Sequence, residues 1–286
     1  ASSEMLRDLG MAFNLHPLAL EDVFHAHQRS KLDLYEGQGF IVLSDPAYED
    51  GELKQRQVSI FFGENYVISF HDHKTDIFKP VRDRVQTAGS RLRMFGIDYL
   101  VYALIDLVVD RKFPIIEALA AHLEALEDEA LGDATGETLA HIHQARRALV
   151  TFHRLEWAER ETVLSVMRPE TPFIMPETRT YLRDCFDHTV AVLDLVESYR
   201  EMTNGLMEVY LMQSSNRMSE VMKTMAIITV FFMPLSFLAG IYGMNFERDV
   251  GNMPELGWKY GYAFFWVTVV VIVVGLFWWL KRKRWI

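Results

Sequence analysis

Ile241-Tyr242-Gly243-Met244-Asn245-Phe246 stands between the two long apolar runs of a 286-residue chain. Met225 to Ile241 leads into it, and Tyr262 to Leu280 follows a loop that contains Met253-Pro254-Glu255-Leu256. As helices these runs span roughly 25 and 28 Å, close to the thickness of a bilayer's hydrocarbon core. The hexapeptide is therefore expected at a membrane surface, between two passes through the lipid bilayer.

Charge orients the passes. Lys281-Arg282-Lys283-Arg284 follows the second run directly, and Arg217 and Lys223 precede the first. Basic flanks stay on the cytoplasmic side, so both termini are expected in the cytoplasm, with the loop 246–261 outside and the inner (plasma) membrane as the location. The lone Cys185 excludes an internal disulfide and fits a cytosolic setting for most of the mass. A formal charge of −10, from 39 acids against 29 bases, argues against a nucleic-acid partner. The sequence has no Gly-rich Walker loop, so no ATP is expected as partner or energy source, and no catalytic residues are assigned. Ala1 to Gly10 is mixed polar and not a signal peptide. Because helix-like sequence begins almost at once, residues 1–100 are expected to be a truncated N-terminal α/β domain whose first strands lie ahead of Ala1.

Within that domain Leu6 to Leu15 reads as a short helix, and Pro17 suits the first position of a second one. Gly39 to Leu43, Gln57 to Phe62 and Tyr66 to His71 read as strands, the last two joined by a three-residue loop of hairpin length, Gly63-Glu64-Asn65. Helical spacing returns at Phe78 to Arg84 and at Tyr99 to Leu131, where Pro114 is expected to interrupt the run. Glu117, Glu124, Glu127, Asp128 and Glu129 precede a turn at Gly132 to Gly136, and Thr138 to Met167 is helical again, so 101–175 reads as an acidic helical hairpin. Its charges suit either a solvated face or a surface that concentrates cations.

Between Pro176 and Pro234 there is no proline and one glycine, Gly205. A helix over this interval has about 57 residues and a length of roughly 85 Å. Residues 176–224 are read as its cytoplasmic part and 225–245 as the first span, with 262–280 as the second and 281–286 as a basic tail. Alternating steps of three and four along the rod give Ser215, Ser219, Met222, Ala226, Thr229, Met233, Ser236 and Gly240. These are small, weakly polar or Met, at the period of helices that face a common axis. The stripe suits close helix packing or the wall of a narrow passage. One chain with two spans cannot enclose a passage, so the second reading needs a ring of copies. Glu208, one heptad before Ser215, then puts carboxylates at the cytoplasmic mouth.

Phe232-Met233-Pro234-Leu235-Ser236-Phe237-Leu238-Ala239-Gly240-Ile241-Tyr242-Gly243-Met244-Asn245-Phe246, followed by Met253-Pro254-Glu255-Leu256, resembles the signature of the CorA family of magnesium/cobalt channels. The resemblance extends upstream through His16-Pro17-Leu18-Ala19-Leu20-Glu21-Asp22, His27-Gln28-Arg29 and Tyr181-Leu182-Arg183-Asp184-Cys185-Phe186-Asp187-His188-Thr189. It implies a funnel-shaped homopentamer: an α+β cytoplasmic domain, a small mixed sheet with helices, joined by a very long helix to a two-helix transmembrane region. It implies Gly243, Met244 and Asn245 as the selectivity filter, with Asn245 as a ring of carboxamides at the outer mouth. Met222, Met225 and Met233 match the hydrophobic constriction, and Glu255 lies in the outer loop. Asp22 and Asp184 match the pair that binds regulatory Mg²⁺ between neighbouring subunits. Mg²⁺ is then both substrate and regulatory ligand, with Co²⁺ and Ni²⁺ as minor substrates.

The sequence departs from the family pattern at Ser219, where a well-studied branch has a pore-facing Asn, at Ala226, where that branch has Thr, and by extra loop residues within Arg248 to Asn252. Two other functions remain open: a Zn²⁺-transporting member of the same superfamily, and a membrane-anchored cation sensor that conducts nothing. His25 with His27, His141 with His143, and Asp184 with His188 have spacings that place ligands together, but none has an evident second pair to complete a transition-metal site. Trp266, Trp278, Trp279 and Trp285 are read as lipid-facing or interfacial anchors, and Thr268 as bonded within its own helix.

Overall fold

The computed structural model describes residues 3–25, 28–49, 51–71, 76–132, 134–245 and 253–285. In chain order the elements are helices α1 (Ser3–Ala12) and α2 (Pro17–Phe24), then strands β1 (Lys31–Tyr35), β2 (Gln38–Ser44), β3 (Ala47–Glu49), β4 (Glu52–Lys54), β5 (Gln57–Gly63) and β6 (Val67–His71). Helices α3 (Lys79–Gln86), α4 (Arg91–Met94), α5 (Ile97–Asp110), α6 (Phe113–Leu131), α7 (Gly136–Val166) and α8 (Pro176–Tyr242) follow, then a 3-10 turn at Pro254–Gly257 and α9 (Gly261–Arg282). The chain divides into two compact units, Ala1–Tyr210 and Leu211–Ile286.

In the first unit β1-β2-β5-β6 form an antiparallel sheet in that order. The two central strands are buried along their whole length, and alternation sorts their side chains to two faces. Phe40, Val42 and Phe61 join Leu15 and Ala19 on one side, with Phe40 opposite Phe61 in register and their ring centroids 4.5 Å apart. Ile41, Leu43, Val58, Ile60 and Phe62 join Val101, Leu104, Ile105 and Val108 of α5 on the other. The three expected strands are present. Sequence reading passed over β1 and the small β3-β4 hairpin. Lys31-Leu32-Asp33-Leu34-Tyr35 alternates, but its charges obscure the pattern, and such charges suit an edge strand. Gly37, at φ 75°, supplies the left-handed position in the two-residue turn from β1 to β2.

A second core lies among α6, α7 and the first part of α8. Ile116, Leu119, Leu123 and Leu126 recur at three- and four-residue steps and meet Ile142, Leu149 and Phe152 of α7 and Val192 and Val196 of α8. The expected acidic hairpin is this α6-α7 pair, and Glu117, Glu124, Glu127 and Asp128 are exposed on it. The interruption before Pro114 falls at Arg111 and Lys112, and Pro114 takes a place in the first turn of α6.

Lys112 is fully buried there. Its ammonium lies 2.9 Å from Glu156 Oε1 and 2.5 Å from Glu159 Oε1, both carboxylates also fully buried on α7. Glu159 Oε2 accepts the Ser44 N–H at 3.1 Å, which ties β2 to the same group. Beside it Arg111 Nε donates to the buried Asp45 at 3.1 Å. At the start of α8 the buried Asp98 accepts a hydrogen bond from the Met175 N–H, at 3.2 Å, and one from the Thr178 hydroxyl, a negative group placed at a helix N-terminus.

In the second unit the expected rod continues through Pro234, and α8 keeps helical structure to Tyr242 over 67 residues in all. Gly243 N–H still bonds Ala239 O at 2.9 Å and Met244 N–H bonds Ile241 O at 3.2 Å. Asn245 is the last described residue before the loop, so the extra residues within 248–252 lie outside the described residues. Helices α8 and α9 are long and apolar enough to cross a membrane, with 0% and 6% of their most apolar stretches buried.

Two carboxylates sharing one ammonium make the Lys112 group sensitive to its members. Lys112→Met leaves both acids without a counter-charge, and the full-length chain in detergent is expected to lose about 3–5 kcal/mol of stability, read as a lowered thermal midpoint. Burial, reinforced by Glu159 and opposed by Lys112, pushes the Glu156 carboxyl up to about 7 from 4.5. A carboxyl raised on folding contributes stability that is fully present below its unfolded pKa and lost as pH rises through the folded one. The midpoint should therefore fall between about pH 4.5 and about pH 7, and Glu156→Gln should flatten that slope; an unchanged slope removes Glu156 as its source.

Candidate functional site

The stripe residues all lie on α8, and in the single chain nothing covers most of them. Met222, Met225 and Met233 are 60%, 62% and 66% exposed. Ser215, Ser219, Thr229, Ser236 and Gly240 are exposed and Ala226 half-buried. The Ser219 hydroxyl donates to Ser215 O at 3.0 Å and that of Thr229 to Met225 O at 2.9 Å, so their protons are committed to the helix while their lone pairs remain. The bulky faces are equally bare, with Phe232 at 64% and Phe237 at 69%. Glu208, also on α8, is exposed and belongs to the first unit. Thr268 bonds Phe264 O at 3.0 Å within its own helix, as expected.

At the end of the first apolar helix Gly243, Met244 and Asn245 are exposed. Glu255 holds this end: Tyr242 donates its hydroxyl to Glu255 Oε1 at 3.3 Å, and the Tyr242 ring meets Phe265 of α9 edge-on, centroids 5.0 Å apart. A Cβ at Gly261 would stand 2.2 Å from Glu255 O, so only glycine lets α9 start so close to the Met-Pro-Glu-Leu turn. Glu255 was expected as a loop residue, and its part is to position.

The two expected sensor carboxylates have separate settings in the chain. Asp22 on α2 is engaged by Lys31, whose ammonium lies 2.7 Å from Asp22 Oδ2 and 2.6 Å from Asp33 Oδ2. Asp184 is exposed on α8 and stands near a group that sequence reading missed. Asp106 and Asp110 of α5 and His188 of α8 offer ligand atoms that all lie within 4.8 Å of one another. His188 Nδ1 is 3.2 Å from Asp110 Oδ1, so its partner comes from α5 and not from the four-residue step to Asp184. Asp106 has its carboxyl pushed up, first by burial and then by the negative charge of Asp110, with Asp184 adding to it. Such a cluster is repulsive until a proton or a cation enters. Two carboxylates suit Mg²⁺, and the imidazole adds a ligand preferred by Co²⁺, Ni²⁺ or Zn²⁺. Asp106 and Asp110 form a four-residue step on α5 that sequence alone reads as ordinary helix surface.

Among the described residues no other group of three His, Cys, Asp or Glu side chains comes together in this way. His141 faces Glu129 at 3.6 Å, and His25 Nδ1 contacts Glu21 O at 3.0 Å. His27 lies outside the described residues.

A family model described as CorA-like Mg²⁺ transporter protein matches residues 1–282. The cobalt/magnesium transport protein CorA of Thermotoga maritima is 40% identical over 286 residues, covering 99% of this chain and 80% of that protein. The putative metal ion transporter YfjQ of Bacillus subtilis is 34% identical over 281 residues, 98% of this chain and 85% of the other. Among solved structures, the complete CorA magnesium transporter from Methanocaldococcus jannaschii superposes with a TM-score of 0.86 at 23% identity, over 100% of this chain and 89% of that one. That likeness shows the fold: the small sheet with its helices, the long helix and the C-terminal apolar helix.

If Asp106, Asp110 and His188 hold a divalent ion, Co²⁺ at 100-fold excess over its Kd raises the stability of the full-length chain in detergent by about 2.7 kcal/mol. Asp106→Asn with Asp110→Asn should remove most of that gain, and His188→Ala should weaken Co²⁺ more than Mg²⁺. A Co²⁺ effect of equal size in the double variant would place the ion elsewhere.

Proposed function

The chain belongs to the CorA-like Mg²⁺ transporter family, and from that membership we propose that it is a passive, potential-driven Mg²⁺ channel, also admitting Co²⁺ and Ni²⁺, that works as a homopentamer in the inner membrane. Its termini are cytoplasmic in this reading, by the basic flanks. The observation that carries the reading is the stripe on α8, one unbroken helix that ends at Tyr242, three residues before the exposed Asn245. A ring of five such helices gives a passage lined by small residues and methionines, with the bulky faces outward.

The chemistry suits a hydrated ion. Mg²⁺ gives up its waters reluctantly, and the oxygens of a ring of carboxamides can accept hydrogen bonds from that shell without the grip of formal charges. Conduction needs binding weak enough to release. Below the ring, Met222, Met225 and Met233 form apolar constrictions that close by excluding water. A divalent ion falling through about 100 mV gains roughly 4.6 kcal/mol, so no nucleotide need drive it.

Gating is assigned to Asp22 and Asp184 on neighbouring subunits, where a regulatory Mg²⁺ bridges carboxylates that otherwise repel. Lys31 gives that assignment a competitor, since an ion arriving at Asp22 must displace an ammonium already 2.7 Å away. The zinc-transporting reading has His188 in its favour, but His188 lies in the first unit and the stripe carries neither His nor Cys.

The test is flux into liposomes of the full-length chain under an inside-negative potential. Mg²⁺ uptake is expected, and Asn245→Ala should lower it by about tenfold or more, the scale of one or more hydrogen bonds lost. Asp22→Lys with Asp184→Lys should keep the channel open at high internal Mg²⁺. Zn²⁺ uptake coupled to protons would favour the zinc transporter, and no flux the sensor; full closure of the double variant would dismiss the gating pair.

A further inference from the structure

A cavity of about 550 Å³ lies in the first unit between the segment ahead of β1, Gln55 and the middle of α7. The channel reading makes no use of it. Arg29 and Arg154 line it together with Ser30, Gln55, His153 and Trp157, and none of its lining residues is acidic. In a chain with a formal charge of −10 this is a local reversal of sign.

Two features of the lining are unspent, and a third is engaged only in part. The Arg29 and Arg154 side chains are both exposed and neither guanidinium has an ion-pair partner among the described residues, whereas Arg56, Arg111, Arg160 and Arg200 each face a carboxylate. Ser30 is only 7% exposed, and its hydroxyl has no hydrogen-bond partner among the described residues. A buried hydroxyl left in that state costs stability unless something fills its valence. Trp157 keeps half its indole exposed. Arg160 stands 5.3 Å from the ring centroid, and His153 lies near-parallel at 6.4 Å, against 3.9 Å for the close stack of His16 on Tyr35. The indole is thus loosely stacked on His153 and approached by Arg160, with half its area still open, and His153 and Trp157 both border the cavity.

Two unpaired guanidiniums are a recognition element for phosphate oxygens, which they bind in a bidentate way. An exposed indole is a stacking platform for a nucleobase. The volume falls within the range that encloses a drug-sized ligand. We propose that this cavity binds a nucleoside phosphate, its phosphates on Arg29 and Arg154, its base against Trp157 and an oxygen of the ligand meeting the Ser30 hydroxyl. The missing Walker loop excludes only the mode of phosphate binding in which a Gly-rich backbone does the holding. The assignment rests on the first unit alone and stands independently of transport.

Calorimetric titration of the full-length chain in detergent, with EDTA present and Mg²⁺ absent, tests it with ADP, pyrophosphate and adenosine as probes. ADP should bind, and both fragments should bind at least about tenfold more weakly. Arg29→Gln and Arg154→Gln should each weaken ADP by about tenfold, and Trp157→Leu should remove the advantage of ADP over pyrophosphate. The altered residues are exposed, so the fold should persist; circular dichroism checks this, and Arg154→Lys provides a milder variant that keeps charge but loses the fork. Absence of ADP binding, or ADP binding that survives both arginine changes, overturns the proposal. So does pyrophosphate binding as tight as ADP, which would reduce the cavity to an anion site without base recognition. ADP binding that appears only with Mg²⁺ would assign the nucleotide to the acidic groups and overturn it as well.

Discussion

Apolar helices that no protein covers cannot remain in water, and that constraint governs the second unit. The apolar stretches of α8 and α9 are 0% and 6% buried, with phenylalanine, valine and tryptophan side chains open to the surroundings. A soluble chain does not expose apolar surface on that scale. Hydrocarbon satisfies the bulky faces, because lipid is as apolar as they are and each helix bonds its own backbone. It does not equally explain the narrow face of Ser215, Ser219, Ala226, Thr229, Ser236 and Gly240. Small residues gain little dispersion energy from lipid and gain more where helices or ordered water approach closely. The homopentamer we propose places each face against the medium that suits it.

The first unit meets the opposite problem, charge that must be kept from water. Lys112, Glu156 and Glu159 are all fully buried, and one ammonium serves two carboxylates. Burying such a group costs several kcal/mol per ion, offset only where geometry is good and remaining lone pairs are bonded. Glu159 meets that condition in part, its Oε2 accepting the Ser44 N–H while its Oε1 faces the Lys112 ammonium at 2.5 Å. Glu156 accepts from the same ammonium through Oε2, and burial, reinforced by the charge of Glu159, outweighs that contact and pushes its carboxyl up. The group also fixes where α5 stops and α6 starts, since a lysine drawn inward at the break ties three elements, β2, the α5-α6 junction and α7, at one point.

What could be read from sequence followed the range of the interaction. The two spans, the central strands and the α6-α7 hairpin are set by periodicity over neighbouring residues, and those readings describe the observed elements. β1 was passed over because Lys31 and Asp33 break an apolar pattern that Leu32 and Leu34 carry. The Lys112 group was illegible: Ser44 and Glu159 are 115 residues apart, Lys112 and Glu156 44 apart. From composition those glutamates were indistinguishable from the solvated ones at Glu124 and Glu127. At Asp184 and His188 the spacing selected a residue that does join a cluster, His188, but attached it to the wrong partner, because the α5 packing that brings Asp110 to it leaves no local mark.

The same distinction bears on the end of α8. Sequence presents Gly243-Met244-Asn245 and Met253-Pro254-Glu255-Leu256 as two motifs with a loop between, and nothing in either says that one serves the other. The Tyr242 hydroxyl on Glu255 and the close start of α9 at Gly261 join them. A neutral amide binds a hydrated ion only weakly, so an amide ring can select only if its members are held at a fixed spacing. In the ring we propose, the second motif supplies that restraint. Glu255 spends an acceptor on Tyr242, which ties the end of α8 to the turn at Pro254–Gly257. In that proposed ring Glu255 therefore acts on selection through Tyr242.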